Sequence, residues 1–168
     1  MSNVLVVLDR KTEINSLMLE DIVPLIKIKG TNVHYAFFVE IPLRLPIDSE
    51  DDLLQSEFQL AEHVAKSFNS NLNNQKISSS RISGGIYKVR DSLFGIIEKS
   101  LEQDAGVVVI TELMYNKLSG QPNNNFNKLS GQPNKNLKFG NITFRNEPGI
   151  SKIISSSRSS IFIWKEKI

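Results

Sequence analysis

Five short apolar segments recur along the chain and predict five β-strands. Residues 4–8 are a run of Val and Leu, and residues 106–110 are a glycine followed by three Val and an Ile, the pattern of strands buried on both faces of a parallel sheet. Residues 33–39 form a similar run, and residues 82–89 form a weaker one that two glycines interrupt. The apolar segment 161–164 supplies the last strand.

Between these segments, apolar residues return at three- and four-residue steps, which predicts amphipathic helices. The first helix covers residues 12–28, with Thr12 as its N-cap, Pro24 as a residue that kinks or shortens it, and Gly30 as its stop. The other helices are predicted from the acidic run 50–52 to the asparagine-rich stretch 69–74, from an Asp91 cap to Leu101, and from Pro148 through Ile154.

Alternating strands and helices with connections of this length predict an α/β fold. Right-handed crossovers then give an open, doubly wound, five-stranded parallel sheet with helices on both faces, in the flavodoxin-like size class. At 168 residues, the chain fits one domain that buries about 70% of its unfolded surface. We therefore expect a single domain over residues 1–168.

A duplicated, asparagine-rich segment follows the fourth strand. The octapeptide NKLSGQPN at residues 116–123 recurs at residues 127–134. It has no apolar periodicity and belongs to a loop of about thirty residues, longer than a compact domain normally contains. We predict a mobile insertion at about 112–145, either a tolerated segment without a role or a strap that docks a partner.

Composition excludes several classes of function. The chain has no cysteine, so it has no disulfide, thiolate metal site or cysteine nucleophile. Its net charge is +2, from 20 basic and 18 acidic residues that are spread along the chain, so we expect no contact with nucleic acid. Neither a signal-peptide pattern nor an apolar run of membrane-spanning length is present, and we expect a cytoplasmic protein without membrane insertion.

Few residues suggest catalysis. His34 and His63 have no carboxylate or second histidine at metal-ligand spacing, and no Ser-His-Asp set can be assembled from the sequence. The tripeptide Ser83-Gly84-Gly85 is similar to a pyrophosphate-binding loop, but no Asp-Ser pair follows at the required distance, so a bulge or turn is the preferred interpretation. We therefore predict a protein that is not an enzyme.

The order of these elements resembles the universal stress protein family. A first strand ending in Val-Leu-Asp at residues 7–9 and a second ending in Val39-Glu40 are similar to the family pattern. So are the helix and strand over residues 92–110 and the final helix and strand over residues 152–164. The resemblance implies an adenine nucleotide alpha hydrolase-like variant of the predicted fold, with a stress-response function.

Two further features of the resemblance bear on function. Residues 38–48 look like the form of this domain that is appended to transporters, which implies a regulatory module with a transporter as its partner. Asp9 matches the family position that contacts the adenine end of a nucleotide, and Val39 matches the position whose backbone does the same. The other interpretation is an aspartate that caps the next turn and a core valine.

The chain departs from the family at the glycines that hold phosphates. Residues 111–114, Thr-Glu-Leu-Met, occupy the first two glycine positions, and Glu147-Pro148 occupies the last pair unless Gly140-Asn141 aligns there instead. Backbone N–H groups at such glycines bind phosphate, whereas a carboxylate repels it and proline has no N–H. This degenerate nucleotide-binding site predicts no cofactor.

The main prediction is thus a non-enzymatic regulatory or protein-interaction module that forms a homodimer through the C-terminal strand, residues 161–164. The alternative is an adenine-nucleotide-binding protein, with ATP or AMP held at the C-terminal ends of strands one and four. Arg81, Arg90 and Arg145 are candidates to surround that crevice.

Overall fold

A computed structural model describes residues 3–49, 52–119, 137–139, 142–144, 151, 155–156 and 159–166. The strands are β1 (Asn3–Val7), β2 (Asn32–Glu40), β3 (Ile82–Val89), β4 (Ala105–Thr111), β5 (Leu137–Phe139), β6 (Ile142–Phe144) and β7 (Ser160–Trp164). The helices are α1 (Thr12–Ile26), α2 (Asp52–Asn74), α3 (Ser92–Glu102) and α4 (Glu112–Leu118), and a short 3-10 turn covers Ser79–Arg81.

Five of the strands form one parallel sheet in the order β3-β2-β1-β4-β7. The chain leaves β1 toward β2 and β3 on one side, and later returns to β4 and β7 on the other. The order therefore reverses between β1 and β4, which is where ligands bind in open α/β sheets. The predicted fold class is confirmed, while β5 and β6 pair separately as an antiparallel hairpin.

The two faces of the sheet carry separate apolar layers. Residues of β1 belong alternately to one layer and the other, because successive side chains of a strand point to opposite faces. One layer joins the sheet to α1 and α2, and the other joins it to α3. The first contains Val4, Val6, Leu8, Met18, Ile22, Val33, Phe37, Val64 and Phe68; the second contains Leu5, Val7, Ala36, Ile96, Val108 and Ile110.

Helix α1 differs from its prediction at both ends. Its N-cap is Lys11 rather than Thr12, and the Lys11 side chain makes no capping hydrogen bond. The helix continues through Pro24 and ends two residues later, at Ile26. Arg81 binds carbonyl oxygens at this end of α1 and in the turn that follows it: its Nε donates to Thr31 at 2.6 Å and its Nη2 to Ile26 and Ile28.

The segment predicted as a loop after the fourth strand begins with a helix. The Thr111 hydroxyl accepts a hydrogen bond from the Met114 N–H at 3.3 Å and so caps α4. The first three residues of the octapeptide, Asn116 to Leu118, belong to this helix. Residues 120–136, and most of the helix predicted from Pro148, lie outside the described residues, so the mobile insertion stays a prediction.

Two glycines are required by close packing. Gly84 in β3 has φ of 153°, and a Cβ there would lie 2.4 Å from the Tyr35 carbonyl oxygen. A Cβ on Gly95 would lie 2.8 Å from the rings and methyls of Phe38 and Val89, so this glycine lets α3 approach the sheet. By contrast, a Cβ on Gly85 would have no heavy atom nearer than 3.9 Å.

Substituting these neighbouring glycines tests the packing directly. We expect Gly84→Ala to lower the free energy of unfolding by about 2 kcal/mol, because alanine adds both backbone strain and a clash. Gly85→Ala is the control and should change it by less than about 1 kcal/mol. Urea unfolding measures both, and equal effects of the two substitutions would contradict the described geometry.

Candidate functional site

A crevice opens at the C-terminal ends of β1 and β2, beside the point where the strand order reverses. Its volume is about 550 Å³, within the range of small-molecule sites. A smaller recess of about 300 Å³ adjoins it and shares Asp9, Leu113 and Asn116. The larger space is lined by Leu8, Asp9, Arg10, Phe37, Phe38, Glu40, Glu57, Ser92, Leu113, Met114, Asn116 and Lys117.

Asp9 borders both spaces and is also tied into the local backbone. Its N–H donates to Asn15 Oδ1, and Asn15 Nδ2 donates back to the Asp9 carbonyl, both at 2.8 Å. Its carboxylate accepts from the Lys11 N–H at 3.0 Å and faces the Thr111 hydroxyl at 3.4 Å. Asp9 therefore closes the turn after β1 and also presents a carboxylate to the crevice.

Val39 lies beside the crevice but in the core. Its side chain is 1% exposed and packs in the layer beneath α1 and α2. Its two neighbours in β2, Phe38 and Glu40, line the cavity instead. Any ligand contact of Val39 would thus have to use its backbone, as the resemblance implied.

Two hydrogen bonds fix the direction of that backbone. The Leu8 N–H donates to the Ala36 carbonyl at 2.9 Å, and the Ile41 N–H donates to the Val89 carbonyl at 2.8 Å. Because backbone groups alternate along a strand, even-numbered residues of β2 face β1 and odd-numbered residues face β3. Val39 accordingly directs its polar groups toward β3, and a role for it in binding stays a prediction.

Glu40 joins three elements across the crevice. Its Oε1 accepts from the N–H and hydroxyl of Ser92, at 3.1 and 2.6 Å, and from Lys117 Nζ at 2.7 Å. Partial burial alone would raise the pKa of Glu40, but the bonds from Lys117 and Ser92 outweigh burial, so the pKa is lowered. The carboxylate is thereby held ionised between the end of β2, the start of α3 and α4.

Other cations near the crevice are also paired with carboxylates. Arg10 donates two hydrogen bonds to Glu57 of α2, and Lys165 lies 2.7 Å from Glu112 at the start of α4. Exposed pairs of this kind each contribute only about 0–1 kcal/mol to the stability of the fold. For ligand binding, the total charge around the crevice therefore matters more than any one pair. The described lining of the crevice and the recess contains five acidic and three basic residues. These are Asp9, Glu40, Glu57, Glu112 and Glu166, and Arg10, Lys11 and Lys117.

The end of β4 has no glycine turn among its described residues. Thr111 is buried, and α4 starts at the next residue with Glu112 in its first turn. A phosphate placed here would meet that carboxylate, and the Met114 N–H already donates to Thr111. The positions 147–148 and 140–141, considered for the last glycine, lie outside the described residues.

The arginines expected near the crevice lie elsewhere. Arg81 binds carbonyl groups at the end of α1, and Arg90 donates to the carbonyl groups of Ile41 and Pro42. These two candidates are not among the residues that line the crevice, because their side chains satisfy backbone oxygens of the fold. Arg145 lies outside the described residues.

Sequence reasoning missed a buried polar group between β2 and β3. His34 is 7% exposed, and its two ring nitrogens lie 2.8 Å from the Ser83 hydroxyl and 2.8 Å from the Tyr87 hydroxyl. Ser83 stands directly opposite His34 in the sheet register, which a single sequence does not reveal. His63 is exposed on α2.

Two negative findings hold for the part of the chain that is described. Its residues contain no group of three or more His, Cys, Asp or Glu side chains that could hold a metal ion. None of its helices is both long and apolar enough to cross a membrane.

Replacing Asn15 tests how firmly Asp9 is positioned. We expect Asn15→Ala to lower the free energy of unfolding by about 2 kcal/mol, since both backbone groups of Asp9 lose a partner near a buried side chain. Glu20→Ala, at an exposed position of the same helix, is the control. Urea unfolding gives both values, and a loss no larger than that of the control would show that Asn15 does not hold the turn.

Comparison with solved structures identifies the fold. A universal stress protein in complex with cAMP superposes with a TM-score of 0.52 and 10% identity, covering 99% of this chain and 98% of that one. One from Archaeoglobus fulgidus in complex with dAMP gives 0.53 and 10%, covering 97% of each chain. A family protein from Burkholderia pseudomallei gives 0.54 and 10%, covering 97% and 95%.

Sequence comparison adds no relative to these structures. No family model matches the chain, and no curated protein matches it. At about 10% identity, the similarity shows only that these proteins share a fold. From its strand order and these superpositions over nearly its whole length, the chain has the fold of the universal stress proteins.

Proposed function

We propose that this protein is a non-enzymatic regulatory module of the universal stress protein type, which acts through contacts with other proteins and does not use a nucleoside triphosphate. The observation that carries the proposal is helix α4. Its Thr111 cap and Glu112 stand directly after β4, where a phosphate-binding glycine turn would have to lie.

Electrostatics supports the same conclusion. The described lining of the crevice and recess contributes five carboxylates and three basic side chains, and a fourth base, Lys165, pairs with Glu112 beside it. Arg10 and Lys117 are already paired with Glu57 and Glu40. To use Arg10 or Lys117, a triphosphate would have to break these pairs, and it would still lie close to carboxylates; both cost free energy.

A second candidate function is the binding of adenosine or its monophosphate. The cavity of about 550 Å³ is large enough for such a ligand, and Leu8, Phe38 and Met114 offer apolar surface for a base. The solved neighbours with cAMP and dAMP have ligands of this class. Asp9 would contact the ligand, while the acidic lining would disfavour additional phosphates.

Thermal unfolding with added ligands separates these two functions. We expect no stabilisation by millimolar Mg-ATP, and a clear rise in Tm with Mg-ATP would contradict the main proposal. If the second function holds, adenosine or AMP raises Tm by several degrees at one hundred times its dissociation constant. That rise should vanish in Asp9→Ala and persist in Glu13→Ala, which alters an exposed position of α1.

Dimer formation through β7 is the second part of the proposal. In the described sheet β7 pairs only with β4, so its outer edge is open, and Phe162 is 44% exposed. Trp164 is a different case: it is 5% exposed and its Nε1 donates to Asp21 at 2.8 Å. Phe162 is therefore the better side chain with which to test the interface, because a change at Trp164 would disturb the core.

The substitution Phe162→Lys should convert a dimer into monomers. In a two-fold symmetric dimer each β7 edge would carry the new positive charge, and the two charges would repel each other across the interface. Size-exclusion chromatography with light scattering measures the mass. Leu43→Lys is the control, since Leu43 is 88% exposed in the loop after β2. A Phe162→Lys protein that folds and remains dimeric would place the interface elsewhere.

Two further parts of the proposal rest on the sequence. Association with a transporter follows from the resemblance over residues 38–48, and a cytoplasmic location follows from composition. Both stay predictions.

A further inference from the structure

The polar group on β2 and β3 contains a serine that is exposed at the surface. Ser83 is exposed, whereas the His34 ring beside it is buried. Ser83 Oγ lies 2.8 Å from His34 Nδ1, and the opposite nitrogen, Nε2, lies 2.8 Å from the Tyr87 hydroxyl. A hydroxyl, an imidazole and an orienting third group at these distances are the parts of an activated nucleophile.

The surroundings keep the imidazole in its basic form. Burial, and then the charge of Lys99, lower the pKa of His34 below its ordinary value of 6.5, while Glu102 acts in the opposite direction. Lys99 Nζ lies 4.2 Å from the centre of the Tyr87 ring and also pairs with Glu102. At neutral pH the ring is therefore uncharged and can accept a proton.

The approach to Ser83 is open. Its neighbours Gly84 and Gly85 have no side chains, and β3 is an outer strand of the described sheet. Packing requires glycine at position 84 but not at position 85, where a Cβ would have no heavy atom nearer than 3.9 Å. The missing side chain at Gly85 leaves space on the face of the sheet that carries Ser83, His34 and Tyr87.

We propose that Ser83 is a nucleophile that accepts an acyl group from an activated ester, with His34 as its general base and Tyr87 as a positioning residue. Ser83 Oγ bonds to the carbonyl carbon while its proton passes to His34 Nδ1. The bond from that carbon to the leaving oxygen then breaks, and the leaving group takes the proton from Nδ1. The products are acylated Ser83 and a free alcohol or phenol.

The reacting groups of this modification site lie away from the crevice. His34 lies four residues before Phe38 in β2, a distance of about 13 Å along the strand. The positioning residue Tyr87 lies nearer, because its ring packs against that of Phe38 with 6.1 Å between the ring centres. The transfer modifies the protein itself once, so it adds a covalent mark to a regulatory module and does not depend on whether the crevice binds a nucleotide.

The test is labelling with a fluorophosphonate probe, followed by peptide mapping. Attack by Ser83 Oγ forms a P–O bond and releases fluoride, so the probe reports the same nucleophile. We expect Ser83 to react at least tenfold faster than Ser78 and Ser80, an exposed pair whose hydroxyls bond to each other at 2.8 Å. Equal rates at the three serines, or no labelling of Ser83, would overturn the proposal.

A pH profile separates a general base from a structural histidine. The labelling rate of the wild type should rise as His34 loses its proton, reach half its maximum below pH 6.5, and then stay level. Lys99→Met should move that midpoint to higher pH, because the charge that lowers the pKa is removed. A rate that keeps rising above pH 7 in both proteins would show that hydroxide, and not His34, activates the serine.

Variants and a second reagent complete the test. Ser83→Ala should lose the label, and Tyr87→Phe should shift the pH profile while still labelling Ser83, since it removes only the partner of Nε2. With p-nitrophenyl acetate, the wild type should release one equivalent of p-nitrophenol in a burst and carry an acetyl group on Ser83. Acetyl groups on lysines alone would contradict an acyl-accepting serine.

Discussion

The architecture depends on the complete burial of β1. Its residues from Val4 to Val7 are at most 1% exposed, and the strand pairs with β2 on one side and β4 on the other. A strand without polar side chains on either face can only lie at the centre of a sheet that is covered on both faces. Helices α1 and α2 cover one face and α3 covers the other, and the strand order must then reverse beside β1.

That reversal creates the crevice, and the end of β4 determines its chemistry. The cavity lies at the C-terminal ends of β1 and β2, and a capped helix with an acidic first residue follows β4. Glu40 and Lys117 connect this helix to β2 across the opening. Among the described residues, a space large enough for a small molecule thus borders a helix whose first turn carries a carboxylate, which disfavours phosphate at that end.

Much of this fold can be predicted from the sequence, because apolar runs such as residues 4–8 and 106–110 are stable in an α/β protein only as strands that are buried on both faces of the sheet. The helix after Thr111 was missed because its last three residues, Asn116 to Leu118, are also the start of the asparagine-rich repeat. Arg81 was misplaced, since its partners are carbonyl groups fifty or more residues away. The contact of Ser83 with His34 was missed for the same reason: it follows from sheet register, which local pattern does not encode.

The central claim is that α4 occupies the phosphate end of the site. Amide hydrogen exchange over residues 112–119, with and without Mg-ATP, tests it most directly. The account predicts measurable protection of the amides at residues 116–119, whose hydrogen bonds close the helix, and no change when Mg-ATP is added. Rapid exchange that slows in the presence of Mg-ATP would contradict it, because the segment would then be an open loop that orders around the triphosphate.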